Sequence, residues 1–465
     1  MRVTIAGATG FVGRHLVERL RGDCELVGLS RSHRPRDDGI DFRACDLFSL
    51  RETEEALEGA DVAVYLVHSM LPQARLTQGS FADLDLFLAD NFARAARTAG
   101  VRRIVYLGGI VPEGETDLSP HLESRLEVER VLASHSVPVV ALRAGLVVGP
   151  GGSSFDMMER LVQRLPVMIC PRWTRTMAQP VALRDVVELL ARSILDDDLP
   201  AGAYDAGGPD RVTWVDLMGL TARELGLRRR FLPVSFFSVH LSLLWLRLVT
   251  GAPRQLAAPL VESLRHPMLA HDHRLFERYR LTPTPIAEAL DEAVRAERAA
   301  HERGREGSRL SEMRKSARSP GPSRVCSVQR MRLAHDEGAA EVARRYAQWI
   351  VVFLRPWLRV TALTDGSLDI GLVRPFGPPL SMLELTRNTE RSDNGRELFH
   401  ITGGALAARV DPPGRFEFRR LHTGPEVLAA VHAFVPALPW PIYRVTQAPF
   451  HLWVMHAFGR NLAES

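Results

Sequence analysis

The chain has 465 residues, 46% of them apolar and 25% charged, with 59 Lys and Arg against 55 Asp and Glu. That balance belongs to globular chains of two or three domains, and a net charge of +4 argues against a nucleic-acid-binding surface. The basic residues are almost all arginine, Lys315 being the single lysine, and Cys24, Cys45, Cys170 and Cys326 lie far apart without CxxC spacing, so neither a metal site nor a disulfide framework is expected.

In chain order, Val3 to Ala6 reads as a strand, and Phe11, Val12, Leu16, Val17 and Leu20 recur at helical spacing. The chain enters this strand directly, leaving no room for a signal peptide; a reducing, cytoplasmic setting is expected. Glu25 to Leu29 is a second strand, Leu50 to Leu57 a short helix and Val62 to Val67 a third strand. Phe81, Leu84, Leu88, Phe92, Ala95 and Ala96 form one face of a longer helix, followed by strands at Ile104 to Leu107 and Val139 to Leu142. Strict alternation of strand and helix implies a doubly wound α/β fold of Rossmann type, with a parallel sheet between two helical layers.

Residues 150–290 keep part of this rhythm and add Pro- and Gly-rich insertions, so residues 1–296 are expected to form one dinucleotide-binding domain. Residues 231–249 (FLPVSFFSVHLSLLWLRLV) are long enough to span a bilayer but carry His240 and Arg247. A charge at mid-bilayer costs about 2.5–3.5 kcal/mol on insertion scales, so a buried or membrane-surface helix is expected. Residues 297–324 are polar and basic and read as a linker. A second α+β domain is expected over 325–465: a strand at Val325 to Leu333, a helix at Ala339 to Leu354, several strands ending near Phe416 to Leu421, and a helical tail from Glu426 to Leu462.

The run Gly7-Ala8-Thr9-Gly10-Phe11-Val12-Gly13 sits between the first strand and first helix. Gly7 suits the tight turn, Gly10 a close approach of backbone to a pyrophosphate, and Gly13 the packing of helix on sheet. The helix start then offers free N–H groups and a positive dipole end to the phosphates. After the second strand stand Ser30 and Arg31, where an NAD-selective site would hold an acidic residue. A guanidinium there suits a 2′-phosphate. NADP(H) is therefore expected, with NAD(H) as the alternative; Arg14, Arg34 and Arg36 add positive charge nearby.

The pattern resembles the short-chain dehydrogenase/reductase superfamily in its extended and atypical branches, over residues 1 to 295. GATGFVG matches the glycine signature, Asp46-Leu47 resembles the pair that contacts adenine, and Tyr65-Leu66-Val67-His68 occupies the strand end that lines the cofactor. LRAGLVVGPG, PVALRDVV and YDAGGPDRVTWVDLM resemble later segments. The resemblance is to NmrA-like proteins and the accessory NAD(P)H-binding subunit of respiratory complex I, bacterial relatives of which often carry an extra C-terminal domain. It implies a Tyr-x-x-x-Lys pair with an upstream Ser or Thr. Here the matching segment is HLESR, so His121 stands for the tyrosine and Arg125 for the lysine, and Gly108-Gly109 for the hydroxyl residue.

A histidine titrates near neutrality and suits acid–base work. Arg125 lies one helical turn on and can hold a ribose, but its charge is permanent. Two functions follow. One is an NADP(H)-dependent oxidoreductase acting on an apolar carbonyl or alkene, with His121 as acid. The other is a non-catalytic NADP(H)-binding protein that senses redox state or supports an assembly. Ser153 and Ser154 either bond a ligand or cap a helix near Asp156. Met157, Met158, Met168, Trp173 and Met177 read as an apolar wall or as plain core, and a lipid or quinone is the expected kind of partner. The second domain resembles, in element order alone, helix-grip folds of the START and Bet v 1 type, with Trp440, Tyr443, Phe450, Trp453 and Met455 facing a cavity or the core.

Overall fold

The computed structural model describes residues 1–31, 40–68, 75–112, 114, 117–234, 261–302 and 324–464. Two compact units emerge, Met1–Leu71 with Leu88–Ser319, and Pro72–Phe87 with Pro320–Ser465.

In the first unit, β1 (Arg2–Ala6), α1 (Phe11–Leu20), β2 (Glu25–Ser30), β3 (Ile40–Ala44), α2 (Leu50–Leu57) and β4 (Val62–Tyr65) come first. After β5 (Leu76–Gln78), which belongs to the second unit, follow α3 (Phe81–Thr98), β6 (Arg103–Gly109), α4 (Pro120–Ala133), β7 (Val139–Ala144), β8 (Val147–Val148) and α5 (Ser153–Arg164). Then come β9 (Val167–Pro171), β10 (Met177–Ala178), β11 (Val181–Ala182), α6 (Leu183–Leu195), β12 (Gly202–Ala206), β13 (Val212–Thr213), α7 (Trp214–Glu224), β14 (Arg230–Val234), α8 (Arg274–Tyr279) and α9 (Ile286–Glu302).

Seven parallel strands form the main sheet in the order β12-β7-β6-β4-β1-β2-β3. The order reverses at β1 and β4, and the crevice beyond the carboxyl ends of those strands is where open α/β sheets bind ligands. Val3, Ile5, Val64, Val105, Val140 and Leu142 fill the sheet's core with Leu16 and Val17 of α1. The expected doubly wound fold is thus present. Three details differ from the sequence reading. β3 was not expected, because IDFRA is an edge strand with only Ile40 buried and so lacks a continuous apolar run. β4 stops at Tyr65, and Leu66 to His68 leave the sheet. Residues 231–234, expected to begin an apolar helix, are the strand β14 paired in parallel with β9; residues 235–249 lie outside the described residues. No helix among the described residues is long and apolar enough to cross a membrane.

The second unit contains β5, the first residues of α3, β15 (Val325–Arg332), α10 (Ala339–Phe353), β16 (Leu358–Ala362), β17 (Leu368–Leu372), β18 (Leu380–Arg387), β19 (Arg396–Gly403), β20 (Gly414–Arg420), β21 (Glu426–Phe434), α11 (Trp440–Val445) and α12 (Gln447–Glu464). Its eight-stranded sheet runs β16-β17-β18-β19-β20-β21-β15-β5. All pairs are antiparallel except β15 with β5. The first strand of 325–464 lies beside the last, with a helix after each, which is the helix-grip element order expected from sequence. Residues 72–87, read from sequence as part of the first domain, cluster with this unit because β5 extends its sheet. Glu426 to Phe434, expected to be helical, is a strand. Both its edges are paired and most of it is buried, so EVLAAVHAF shows no polar–apolar alternation. The core is aromatic: Tyr346 of α10 meets Phe416, Phe418 and Phe458 at 5.8, 5.5 and 5.1 Å between ring centroids. Tyr443 and Met455 join this core, whereas Phe450 and Trp453 stand about half exposed.

Candidate active site

The glycine-rich turn is built as its residue types dictate. Gly7, at φ +90°, turns the chain out of β1, and a Cβ there would lie 3.0 Å from the Leu66 carbonyl oxygen. The Gly10 N–H donates to the Gly7 carbonyl at 2.8 Å, closing the turn. Gly10 caps α1 without a side-chain bond, and the first turn of the helix carries no acid. The leading N–H groups and positive dipole end are thus left for an anion. A Cβ on Gly13 would fall 2.1 Å from the Gly7 carbonyl oxygen. The backbone of helix and turn therefore touch, and only glycine fits. This cradle fits a dinucleotide pyrophosphate.

A cavity of about 450 Å³ opens from this turn. Gly7, Gly10, Phe11, Val12 and Gly13 line one end; Val67, His68, His121 and Arg125 line the middle. Thr9, Ser30, Arg31, Asp46 and Leu47 do not line it. Ser30 ends β2, and Arg31 beside it is exposed. Asp46 and Leu47 lie in the loop after β3. The Asp46 carboxylate accepts the Phe48 N–H at 3.1 Å, and the Leu47 carbonyl accepts Nδ2 of Asn91 at 2.7 Å. Both residues thus have local bonds that shape the loop. Arg14 donates to the Pro150 carbonyl at 2.9 Å. Arg34 and Arg36 lie outside the described residues.

α4 carries the two residues that stand for the catalytic pair. The Ser119 hydroxyl accepts the Leu122 N–H at 3.3 Å, and Pro120 occupies the first turn, so the helix starts where His121 enters the cavity. Arg125, one turn later, is buried, and its carbonyl accepts the Tyr106 hydroxyl at 3.2 Å. His68 comes from the other side, three residues past the end of β4, with its ring 5.1 Å from that of His121. Gly108 and Gly109 end β6 against the same space. They differ in room: a Cβ on Gly108 would meet Tyr106 Cε1 at 2.8 Å, whereas on Gly109 the nearest atom is Arg125 Cγ at 3.8 Å.

The far wall is apolar. Met157, Met158 and Leu161 come from α5, Trp214 and Met218 from α7, with Trp173, Leu264 and Met268 beyond. Met168 packs instead in a separate cluster with Cys170, and Met177 lies in β10. Ser153 and Ser154 line the cavity as the first residues of α5; the cap is Gly152, without a side-chain bond. Trp214, Met218, Leu264, Met268 and Ser263 had not been singled out from sequence. Ser263, whose hydroxyl lies 2.8 Å from that of Ser119, follows the apolar segment after β14 and has no local signal of its own. Among the described residues the ionisable lining groups are His68, His121 and Arg125. Glu159, on α5 outside the cavity, is raised to about 7 by burial, then by Glu297 and Asp156. No described cluster of His, Cys, Asp or Glu could hold a metal ion.

The profile of the NAD dependent epimerase/dehydratase family matches residues 3–170. The chain is 34% identical over 118 residues to the auxiliary protein GraX of Staphylococcus aureus, covering 25% of this chain and 38% of that protein. It is 29% identical over 228 residues to an uncharacterized protein of Mycobacterium tuberculosis, 48% of this chain and 24% of that one. It is 28% identical over 238 residues to a ceramide reductase of Caulobacter vibrioides, 50% of this chain and 72% of that enzyme. The chain therefore spans well under half the length of the first two. Among solved structures, the NADPH complex of the quinone oxidoreductase QOR2 from Escherichia coli superposes with a TM-score of 0.50 at 19% identity, over 62% of this chain and 98% of that one. The Citrobacter triphenylmethane reductase with NADP(H) gives 0.51 at 17%, over 63% and 100%. The first unit has the Rossmann-type fold of these proteins, and its residues 3–170 match the profile of the NAD dependent epimerase/dehydratase family.

Proposed function

We propose that the chain is an NADPH-dependent reductase of an apolar carbonyl or alkene. One observation carries the reading: a single cavity joins the phosphate-cradling turn to a wall of methionine, leucine and tryptophan, with His121 and Arg125 between them. The nicotinamide, when bound, supplies a hydride to the substrate carbon. His121 donates the proton that balances it on the adjoining oxygen or carbon, within reach of the same space. Arg125, too basic to exchange protons, holds the ribose. The wall excludes water and accepts an apolar chain or ring. Arg31, exposed beside Ser30, pairs with a 2′-phosphate and selects NADPH over NADH. The likeness to a protein named ceramide reductase supports a lipid-like substrate.

A nucleotide-sugar substrate fits less well. It would bring a second diphosphate, and Arg125 is the one permanent cation on the described lining. The absent hydroxyl at Gly108-Gly109 favours a second reading, a cofactor-binding protein without turnover. NADPH oxidation with long-chain ketones, enones and quinones separates the two. Turnover with any of them, lost in His121→Ala while NADPH still binds, supports reduction. Saturable NADPH binding with no oxidation across the panel supports the second reading.

A further inference from the structure

The second unit carries a surface that its own fold leaves bare. Apart from Met1, Val167, Ile169 and Leu232, every exposed large apolar side chain among the described residues belongs to this unit. Rings run in series over α10 and α12: Trp349 stacks on Phe353 at 4.4 Å, Phe353 meets Trp453 at 4.7 Å, and Trp453 meets Phe450 at 5.6 Å. Val352 beside them is 61% exposed. The turn after α10 adds Trp357, 67% exposed, whose carbonyl accepts the Val373 N–H at 2.8 Å. Three residues past Val373, Phe376 is 91% exposed. An apolar surface of this kind marks an interaction site.

The charge around it has one sign. Arg355, Arg359, Arg374 and Arg444 are all exposed. None has an ion-pair partner among the described residues, whereas Arg387, Arg396 and Arg420 of the same unit pair with Glu397, Glu417 and Asp336. Residues 427–463 contain no Asp or Glu. The nearest acids, Asp365 and Asp369, are engaged by the hydroxyls of Ser367 and Ser381.

We propose that this aromatic and arginine face docks on the headgroup layer of an anionic lipid bilayer. Indole rings settle at the depth where headgroup meets acyl chain, and guanidinium groups pair with lipid phosphates above it. No described helix could cross, so the unit lies on the surface. A second copy fits poorly, because a two-fold contact would set unpaired arginines against each other. Cofactor binding by the first unit plays no part in this inference.

The test is co-sedimentation of the full chain with vesicles of phosphatidylcholine alone or mixed with phosphatidylglycerol. Binding is expected with the mixed vesicles, weakening as salt rises. Arg355→Gln and Arg374→Gln should each lower the partition about fivefold. Phe376→Ser together with Trp453→Ala should lower it about tenfold or more. NADPH titration and circular dichroism serve as controls for folding, and Phe376→Ser alone, at a fully solvated position, reports on the face where the double variant loses fold. Equal binding to neutral and anionic vesicles, or none to either, overturns the proposal. So does a dimer in sedimentation velocity that Trp453→Ala dissociates while the vesicles stay empty of protein.

Discussion

His68 and His121 hold their rings 5.1 Å apart between centroids and inclined by 42°, one from the loop after β4 and the other from the start of α4. The loop just past β4 and the start of α4 thus each contribute an imidazole to the crevice, and His121 stands where the resembled pattern has a tyrosine. His121→Ala is expected to lower kcat for ketone reduction by about 10²–10⁴, the usual worth of a positioned acid. Affinity for NADPH, read by fluorescence titration, should stay unchanged. A variant with full turnover removes His121 from the chemistry.

Gly108 and Gly109 make a paired steric prediction. At 108 a side chain runs into the Tyr106 ring, and at 109 it meets ordinary contacts. Gly108→Ser should cost about 1–3 kcal/mol through overpacking, seen as a lower Tm. Gly109→Ser should stay within about 0.5 kcal/mol of the parent and place a hydroxyl near His121. Equal stability of the two variants contradicts this packing.

Arg31 is the specificity test for the cofactor. A charge-assisted bond to a 2′-phosphate is worth about 1.5–3 kcal/mol. Arg31→Ala should therefore weaken NADPH binding by about tenfold to a hundredfold and leave NADH nearly unaffected, measured by direct titration. An equal loss for both assigns Arg31 to the surface only.

The second unit has its own pH signature. Burial, reinforced by His456, lowers His451 to about 4, and its Nε2 lies 3.2 Å from Ser327 Oγ. In the unfolded chain the same ring titrates near pH 6.5. The unfolded state thus takes up the proton first. Stability is intact above about pH 6.5, declines as pH falls below it, and reaches its full loss below about 4. The side chain keeps some solvent contact, so the loss is at most about 2 kcal/mol. Urea midpoints between neutral and acid pH should fall more steeply for the parent than for His451→Gln. Parallel slopes dismiss the histidine as the source.

Much of the first unit could be read from sequence because its signals are local. The turn from Gly7 to Gly13 needs three glycines at fixed offsets, and the flanking strand and helix are periodic. What was hidden depends on partners far along the chain. β21 hides because a strand paired on both edges loses its alternation, and its alanines then read as helix. β3 hides because an edge strand needs few apolar residues. Leu66 and Val67 read as more strand because they are apolar, yet they lie past the end of β4 and line the cavity. Ser263 and Leu264 reach the cavity only through the path of the intervening chain. The element order of residues 325–464 was read from sequence apart from β21, taken there as helix, and β5, which comes from residues 76–78.

The distance along the chain between β5 and β15 constrains how the protein is made. The Gln329 amide donates to the carbonyl of Gln78, 251 residues earlier, and β5 runs beside β15 over Leu76 to Gln78. At about 5–20 residues per second on the ribosome, β5 waits on the order of ten seconds or longer for its neighbour. During that interval the nascent chain carries an unpaired edge directly behind the segment that lines the cavity. Nascent chains cut short of residue 325 should therefore recruit holdase chaperones more strongly than the finished protein does.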